Sequence, residues 1–321
     1  MDYTPYKLKN WINKEKLDWK LISLNPRSIS IFNEKIKQND SYLNWNGLSI
    51  NPNGPIILEN YIDKIQWDFL SRNPNAISIL ERNLDKINWD ILSNNTNAIE
   101  LLEKNQDKIN WIELSNNPNA ISLLEQNQDK IDWFWLSSNP NAIDLLKENQ
   151  DKIDWNLLSR NPNAIELLKE NQDKIDWYWL SSNPNAIELL KKNKIDWDML
   201  SQNPNAIELL KENQDKINWM YLSRNPNAID LLKENQDQID WEWLSENQNP
   251  NAIELLKQRI EYEKSLANEE LHELGNEIDC WWGLSQNPNA IDLLEENQKK
   301  INWNLLYTNP SIFEDEPMPI I

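Results

Sequence analysis

The residue types that carry out catalysis are scarce in this sequence. Its 321 residues include one cysteine, Cys280, and one histidine, His272, too few for an internal disulfide or for a zinc site of the usual Cys/His kind. A serine recurs after a repeated leucine, as at Ser137 and Ser181, but the sequence offers it no histidine partner for activation. Four scattered glycines cannot build a phosphate-binding loop. The sequence therefore predicts that the protein is not an enzyme and has no catalytic residue, cofactor or metal ion.

Carboxylates are abundant, and their pattern indicates a solvated surface. Glu166, Glu188 and Asp230 recur at the outward position of a helical pattern, and the recurring segment ENQDKID lacks the glycine turn and the bidentate glutamate of a calcium loop. The net charge of -20 repels phosphate backbones and anionic lipids, so we expect neither nucleic acid nor a membrane as a partner. The chain start does not resemble a signal peptide, and no apolar run reaches membrane-spanning length. We expect an intracellular protein.

Aromatic and methionine side chains are the types that point to binding. Two variable positions separate a repeated tryptophan from a repeated leucine. The first is mostly polar and is expected to face water, and the candidates among its apolar members are Phe134, Tyr178, Met220 and Trp282. The second is mostly apolar and includes Trp135, Trp179, Tyr221 and Trp243. These second side chains could pack into the core against the next repeat, or they could form a partly exposed aromatic groove for a peptide or protein.

The positions of these residues are set by an internal repeat. The pattern Trp-x-x-Leu-Ser marks thirteen units, with Ile22 in place of the leucine in the first and Tyr307 in place of the serine in the last. The units are mostly 22 residues apart, with steps of 26 near the start, 20 between Trp177 and Trp197, and 40 between Trp241 and Trp281. A further variable position follows the serine and is expected to lie along one edge of the stack.

Each unit carries the signals of two short helices. Asparagine followed by proline predicts a capped helix that begins at the proline, runs through Ala-Ile-x-Leu-Leu and ends at an asparagine in the left-handed conformation, as at Asn149. The Asp or Asn before the repeated tryptophan, as at Asp176, predicts the cap of a second helix that ends near the serine. The Gln-Asp pair between the helices is expected to be a loop. We expect the serine to bond to its own backbone, and the asparagines to form a ladder between units.

Such short helices must stack to bury their apolar faces, which predicts an all-α fold, an α-solenoid of about thirteen stacked 22-residue two-helix repeats. With helices roughly 8–10 Å apart, it would be a curved rod on the order of 100–130 Å long. The basic first forty residues would form a polar end cap or favour head-to-tail contact between molecules, with a monomer as the main expectation. The expected parts of this single array are a cap (1–14), regular repeats (15–256), a helical insertion (257–280), final repeats (281–312) and a tail (313–321).

The unit IDWNLLSRNPNAIELLKENQDK resembles a repeat in largely uncharacterised proteins of giant nucleocytoplasmic DNA viruses. The resemblance covers roughly residues 15–312, with departures at Thr96, Arg27, Ser28 and the insertion. It implies a viral protein that acts inside the host cell or in the virion, and it supplies no catalytic residues. The fold is also similar to HEAT-like and leucine-rich-variant solenoids by analogy alone. The sequence as a whole favours a non-enzymatic scaffold for protein–protein interaction. The alternatives are a structural virion or assembly component that uses the array as a stiff spacer, and an accessory subunit of an enzyme.

Overall fold

The computed structural model describes residues 6–37, 43–191, 194–266 and 278–316. In twelve of the thirteen units the repeated tryptophan opens a short α-helix, which we call the Trp helix. The Asp or Asn before it accepts a hydrogen bond from a backbone N–H of the first turn, as Asp176 does from Trp179 at 3.2 Å, so the predicted caps are confirmed. Gln66 and Cys280, which depart from the pattern, make no such bond. The Trp helices are Trp19–Ile22, Trp45–Ile50, Trp67–Arg72, Trp89–Ser93, Trp111–Ser115, Trp133–Ser138, Trp155–Arg160, Trp177–Ser181, Trp197–Gln202, Trp219–Arg224, Trp241–Ser245 and Trp281–Gln286.

The second helix of each unit, which we call the Leu helix, mostly begins at the isoleucine and not at the predicted proline. The Asn-Pro-Asn segment forms a turn in which the first asparagine accepts a bond from the backbone N–H of the second, as Asn139 does from Asn141 at 3.1 Å. The helix ends at the predicted asparagine, but Asn149 has φ -129° and is not left-handed; its amide instead donates to the Leu145 carbonyl at 3.0 Å. The Leu helices are Ile29–Lys37, Pro55–Leu58, Ile77–Glu81, Ile99–Glu103, Ile121–Glu125, Ile143–Glu148, Ile165–Glu170, Ile187–Leu190, Ile207–Lys211, Ile229–Glu234, Pro250–Ser265 and Ile291–Glu296.

The segment expected to be a loop forms one turn of 3-10 helix in most units. This turn brings its lysine over the tryptophan of the same unit, so that Lys152 Nζ lies 4.3 Å from the ring centroid of Trp133. These turns are Ile62–Lys64, Leu84–Lys86, Gln106–Lys108, Gln128–Lys130, Gln150–Lys152, Gln172–Lys174, Gln214–Lys216 and Gln236–Gln238. Further 3-10 turns are Pro26–Ser28, Pro288–Ala290, Leu306–Thr308 and Pro310–Ile312.

The core is continuous from unit to unit. In the regular units the leucine of the Trp helix and the alanine before the Leu helix are fully buried, as Leu136 and Ala142 show. The adjacent leucines of the Leu helix, such as Leu145 and Leu146, complete the layer at 3% and 0% exposure. The all-α solenoid of 22-residue units is therefore confirmed.

Two polar ladders connect successive units inside this core. The buried Asn139 amide donates to the carbonyls of Ser115 and Asn117 in the preceding unit, both at 3.1 Å. The buried Ser137 hydroxyl donates to the Trp133 carbonyl at 2.7 Å and accepts the backbone N–H of Asp154 in the following unit at 3.0 Å. The predicted ladder and the predicted serine bond are both confirmed. Each buried polar group of these two ladders has a partner because the neighbouring unit supplies it.

The expectation of an open rod is wrong, because the last unit packs against the first. Asn25 in the first unit donates to the carbonyls of Tyr307 and Asn309 at 2.8 and 3.2 Å, which repeats the bonds of every other ladder asparagine. Lys16 lies over the Trp303 ring at 5.3 Å, as the lysines of the 3-10 turns lie over theirs. Thirteen units close with an average rotation of about 28° each, so the solenoid is a ring.

Strands from the two ends of the chain pair across this contact between the last unit and the first, which we call the seam. Strand β1 (Tyr6–Leu8) pairs antiparallel with strand β2 (Phe313–Asp315), with Lys7 opposite Glu314. The Lys7 and Glu314 side chains form an ion pair at 3.3 Å. The segments expected to be a cap and a tail thus bind each other. The contact between the first and the last unit is therefore made within one molecule.

The Trp helices lie on the inner side of the ring. Neighbouring Trp helices approach to within 8 Å between Cα atoms around the described chain, more extensively than neighbouring Leu helices of the regular units do. Elements closer to the axis of a ring must lie closer together. The Leu helices therefore form the outer layer and the Trp helices the inner layer.

The insertion begins, as predicted, by extending a Leu helix, Pro250–Ser265. Its end is held by Glu263, which is 4% exposed, pairs with Arg259 at 2.8 Å and accepts the backbone N–H of Ile278 at 3.2 Å. Arg259 also lies over Trp241 at 5.4 Å, where a lysine lies in other units. Residues 267–277, which include His272, lie outside the described residues.

Candidate binding surface on the inner wall

Three side chains of each Trp helix point away from the Leu helix and form the inner wall of the ring. They occupy the first, second and fifth positions after the tryptophan, which share one helical face opposite the buried leucine and serine. Repeated around the ring, these positions make three rows, which we call the first, second and third rows.

All thirteen residues of the first row are exposed, which confirms the expectation that this position faces water. Ile112, in the fifth unit, is apolar and 52% exposed, and the four predicted candidates lie in every second unit from the sixth to the twelfth. Their exposed fractions are 49% for Phe134, 48% for Tyr178, 37% for Met220 and 46% for Trp282. Water-facing aromatic surface of this extent is unusual without a partner.

The second row also belongs to the surface. Trp135 is 41% exposed, while Trp179, Tyr221 and Trp243 are half-buried and do not belong to the layer packed against the core. The structure thus places this row in a groove between neighbouring Trp helices. Gly283 is one exception, because its close approach to Ser245 leaves no room for a Cβ, which would lie 1.9 Å from the Ser245 oxygen.

The predicted aromatic residues contact one another in pairs. Phe134 meets Trp135 edge-to-face with ring centroids 5.2 Å apart, and Tyr178 meets Trp179 in the same way at 4.9 Å. Tyr221 and Trp243 belong to adjacent units and meet at 6.0 Å. Together with Met220 and Trp282, these aromatic side chains line one part of the inner wall, which we call the aromatic arc.

The third row adds arginines, which the sequence reasoning missed as site residues. Arg160 lies 4.5 Å from the ring centroid of Trp179 in the next unit, and Arg224 lies 5.4 Å from that of Trp243. Arg224 also pairs with Glu246 at 3.2 Å. The sequence signal for these contacts is an arginine after the serine followed, nineteen residues later, by a tryptophan in the second row.

Small clefts open between the inner rows. One cleft, of about 250 Å³, is lined by Gln202, Tyr221, Arg224, Asn225, Pro226 and Trp243. A second, of about 310 Å³, is lined by Arg72, Asp90, Ile91, Asn94 and Glu113 on the more polar arc. A larger one, of about 780 Å³, lies beside Trp281, Trp282 and Trp303. The first two volumes suit single side chains of a bound polypeptide.

The inner wall and the outer layer of the ring differ in charge. The three inner rows hold four basic and six acidic side chains, which leaves most of the net charge of -20 elsewhere. On the outer layer, Lys191 pairs with Glu188 at 2.6 Å, and this hydrogen bond, with the carboxylate's charge, raises the pKa of Lys191. The inner wall is therefore the less charged and more aromatic face.

The wall encloses an opening of limited width. Thirteen helices spaced about 9 Å apart give a ring of helix axes about 37 Å across. Subtracting the width of the helices, about 10–12 Å in total, leaves roughly 25 Å.

Within the described ranges, no group of three or more His, Cys, Asp and Glu side chains is arranged to hold a metal ion. Cys280 is buried in the core. No helix among the described residues combines the length and apolar character needed to cross a bilayer. No family model, curated protein or solved structure matches the chain.

Proposed function

We propose that the ring is a non-enzymatic scaffold that binds a protein partner through a segment held against its inner wall. The observation that carries this proposal is the arc of aromatic and methionine side chains from Phe134 to Trp282. In its first row, Phe134, Tyr178, Met220 and Trp282 remain between 37% and 49% exposed. Tryptophan, tyrosine and arginine are the residue types that dominate binding energy at protein interfaces, and all three line this arc.

The chemistry of the arc fits a polypeptide better than a small molecule. Its apolar groups are distributed over several units, and its clefts between the rows are side-chain sized. Rings held edge-to-face against a neighbour, as Tyr178 is against Trp179, lose little further rotational freedom when a ligand binds.

Closure weakens the alternative of a stiff spacer. A ring has no free end for growth, since β1 pairs with β2 and Asn25 completes the ladder. A structural role would require rings to stack on their rims. We propose a monomer, because the contacts that could join two molecules end to end are made within one chain.

The biological setting of the protein, its viral origin and its place in the cell, is also a proposal and rests on the resemblance of the repeat. We infer a protein of giant-virus type that acts on host or viral proteins inside the infected cell, with no nucleic acid or membrane partner. A net charge of -20 supports the exclusion of both polyanionic surfaces.

A random peptide library displayed on phage and selected on the immobilised ring tests the function. The variant carries Phe134→Ser and Tyr178→Ser, and the matched control carries Asn46→Ser and Asn156→Ser in the same exposed row. We expect the wild type and the control to retain the same peptides and the variant to lose them. Retention by the variant, or no enrichment at all, would show that the aromatic arc is not a peptide-binding surface.

A further inference from the structure

We propose that the ring opens and recloses at the seam, where unit thirteen separates from unit one while every unit stays folded. The seam is then a gate through which a segment without a free end can reach the inner wall. This inference goes beyond the proposed function, because it concerns a motion of the ring and holds whatever the ring binds. It follows from the path of the chain, the packing at the seam and the contacts that hold the seam closed.

The path of the chain makes the seam unlike every other contact between successive units, which we call a joint. At each other joint the chain itself runs from one Trp helix to the next, as it does from Trp133 to Trp155. A break at such a joint leaves the two units tethered to each other. Units thirteen and one have no such tether and can move apart as folded bodies.

The line of separation runs between the two strands. Strand β1 belongs to unit one, because the Ser30 hydroxyl donates to the Tyr6 carbonyl and accepts the Tyr6 N–H at 3.2 Å. Strand β2 directly follows the last turn of unit thirteen, Pro310–Ile312. Each strand therefore keeps its own unit when the seam opens.

The inner elements beside the seam are shorter than those at the other described joints. Unit one contributes the four-residue helix Trp19–Ile22, and unit thirteen contributes the three-residue 3-10 turn Leu306–Thr308. The other Trp helices have five or six residues. Shorter elements bury less apolar surface against each other, so separation costs less free energy at the seam.

The serine ladder is interrupted at the seam. In the regular units the serine hydroxyl accepts a backbone N–H of the following unit, as Ser137 accepts that of Asp154 at 3.0 Å. Unit thirteen has Tyr307 in place of the serine, so the corresponding N–H in unit one, that of Asp18, faces no serine. Opening of the seam therefore breaks one ladder bond fewer than separation at a regular joint does.

Two other joints have an unusual serine, and both are packed more tightly. Ser23 and Ser245 donate to the carbonyls three residues before them, each at 2.6 Å. Gly47 and Gly283 in the following Trp helices come so close that a Cβ would lie 1.8 and 1.9 Å from the serine oxygens. Unit one has Leu21 at the position of these glycines. The seam thus lacks both the serine bond and the close approach.

Charged side chains and short strands hold the seam closed in their place. Lys7 and Lys9 both pair with Glu314, at 3.3 and 3.9 Å, and the three side chains are 28–42% exposed. Exposed ion pairs contribute little stability and are screened by salt. Arg27 Nη1 donates to the Pro310 carbonyl at 3.1 Å, where other units use an asparagine amide. A sheet of two short strands is itself only marginally stable.

Matched cysteines test the opening in the full-length ring without denaturant. Asn25→Cys and Asn139→Cys remove the same ladder bonds at two buried positions, one at the seam and one at a joint that the chain spans. Mass spectrometry measures how fast iodoacetamide modifies each thiol and follows the buried Cys280 separately. We expect the thiol of Asn25→Cys to react at least about tenfold faster than that of Asn139→Cys, because opening of the seam requires no unit to unfold.

A disulfide across the seam distinguishes its opening from unfolding of unit one. Lys7→Cys with Glu314→Cys, combined with Asn25→Cys and oxidised, ties the two strands together. Modification at position 25 should then slow to the rate found for Asn139→Cys. Reduction of the disulfide should restore the faster rate.

Removal of the ion pairs should favour the open ring. Glu314→Gln removes both pairs of the seam and should raise the rate at position 25 about fivefold. Sodium chloride at about 1 M should cause a similar rise, but little further rise in Glu314→Gln. The matched control Glu59→Gln removes an exposed pair with Arg82, 2.9 Å long, between units two and three, and should leave the rate unchanged.

Hydrogen exchange gives a second measurement in chains without an added cysteine. The Lys9 N–H, which donates to the Ile312 carbonyl across the seam at 2.9 Å, should exchange faster in Glu314→Gln than in the wild type or in Glu59→Gln. Equal reaction rates for the two cysteines would overturn the inference, as would a rate at position 25 that the disulfide does not slow. Unchanged exchange of Lys9 in Glu314→Gln would also overturn it. No ligand takes part in these measurements, so their outcome is separate from that of the phage selection.

Discussion

Ring closure makes a sharp prediction about a single asparagine at the seam. In the closed ring, the Asn25 amide donates to Tyr307 and Asn309, and its side-chain oxygen accepts the N–H of Arg27 at 3.1 Å. Asn139, halfway round, makes the same three bonds to its own neighbours. At about 1 kcal/mol for each net hydrogen bond, Asn25→Ala and Asn139→Ala should each lower the free energy of unfolding by about 3 kcal/mol.

In an open solenoid, Asn25→Ala would lower the free energy of unfolding by a smaller amount. Without the last unit beside it, Asn25 would keep only the bond to Arg27, and its replacement by alanine would cost about 1 kcal/mol, as for a helix cap. The two arrangements therefore differ by about 2 kcal/mol, or roughly 30-fold in the unfolding equilibrium constant. Asn139→Ala is the internal standard, because its partners are present either way.

Urea unfolding measures both variants, followed by tryptophan fluorescence and by far-ultraviolet circular dichroism. The two signals must coincide and the dependence on urea must match the wild type, so that the free energies are comparable. A loss for Asn25→Ala below half of that for Asn139→Ala would refute closure of the ring in solution.

Three further predictions concern the contacts between units. Cysteines in place of Lys7 and Glu314, which lie opposite each other in the two-stranded sheet, should form an intramolecular disulfide on mild oxidation; mass spectrometry that finds only free thiols or linked dimers would contradict this pairing. Ser137→Ala should cost about 2 kcal/mol in urea unfolding, because it leaves a buried backbone N–H of the next unit without its acceptor; a loss below 0.5 kcal/mol, on the order of a neutral surface change, would count against the serine ladder. Gly283→Ala should lower stability by about 1–3 kcal/mol through overlap with the neighbouring Trp helix, and an unchanged midpoint would show that the helices are not so close.

The sequence predicted the features that each unit determines by itself. The Asp or Asn before the tryptophan, the apolar spacing of the Leu helix and the recurring serine have local reasons, so Asp176, Leu145 and Ser137 take their predicted places. The start of the Leu helix was predicted one turn too early, because the side chain of Asn139 caps a turn before the helix.

Closure escaped prediction because it depends on a small rotation summed over thirteen units. The residue pattern of one unit does not reveal a rotation of about 28° between units, although the first unit contains residues that indicate closure. The first unit keeps Lys16 and Asn25 at positions that serve a preceding unit, and an open end would leave these groups without partners.

The burial of the second row was left open for a related reason. Trp135 and Trp179 lie two residues after the repeated tryptophan, at the border between the buried and exposed faces of a short helix. Only the curvature decides whether the next unit covers such a position. In the ring these side chains face the opening, and Arg160 and Arg224 lie over two of the tryptophans of the row.

The width of the ring limits what can bind inside it. An opening of roughly 25 Å is narrower than a folded domain of about 100 residues, whose radius of gyration of about 13 Å corresponds to a diameter near 34 Å. A single extended segment or one helix of about 10–12 Å would fit against the aromatic arc. Because β1 and β2 close the seam, such a segment must enter along the axis of the ring, either as a loop or by threading a chain end, unless the seam opens. The disulfide between positions 7 and 314 decides between these routes: an oxidised ring that still binds peptides at an unchanged rate admits its partner without opening.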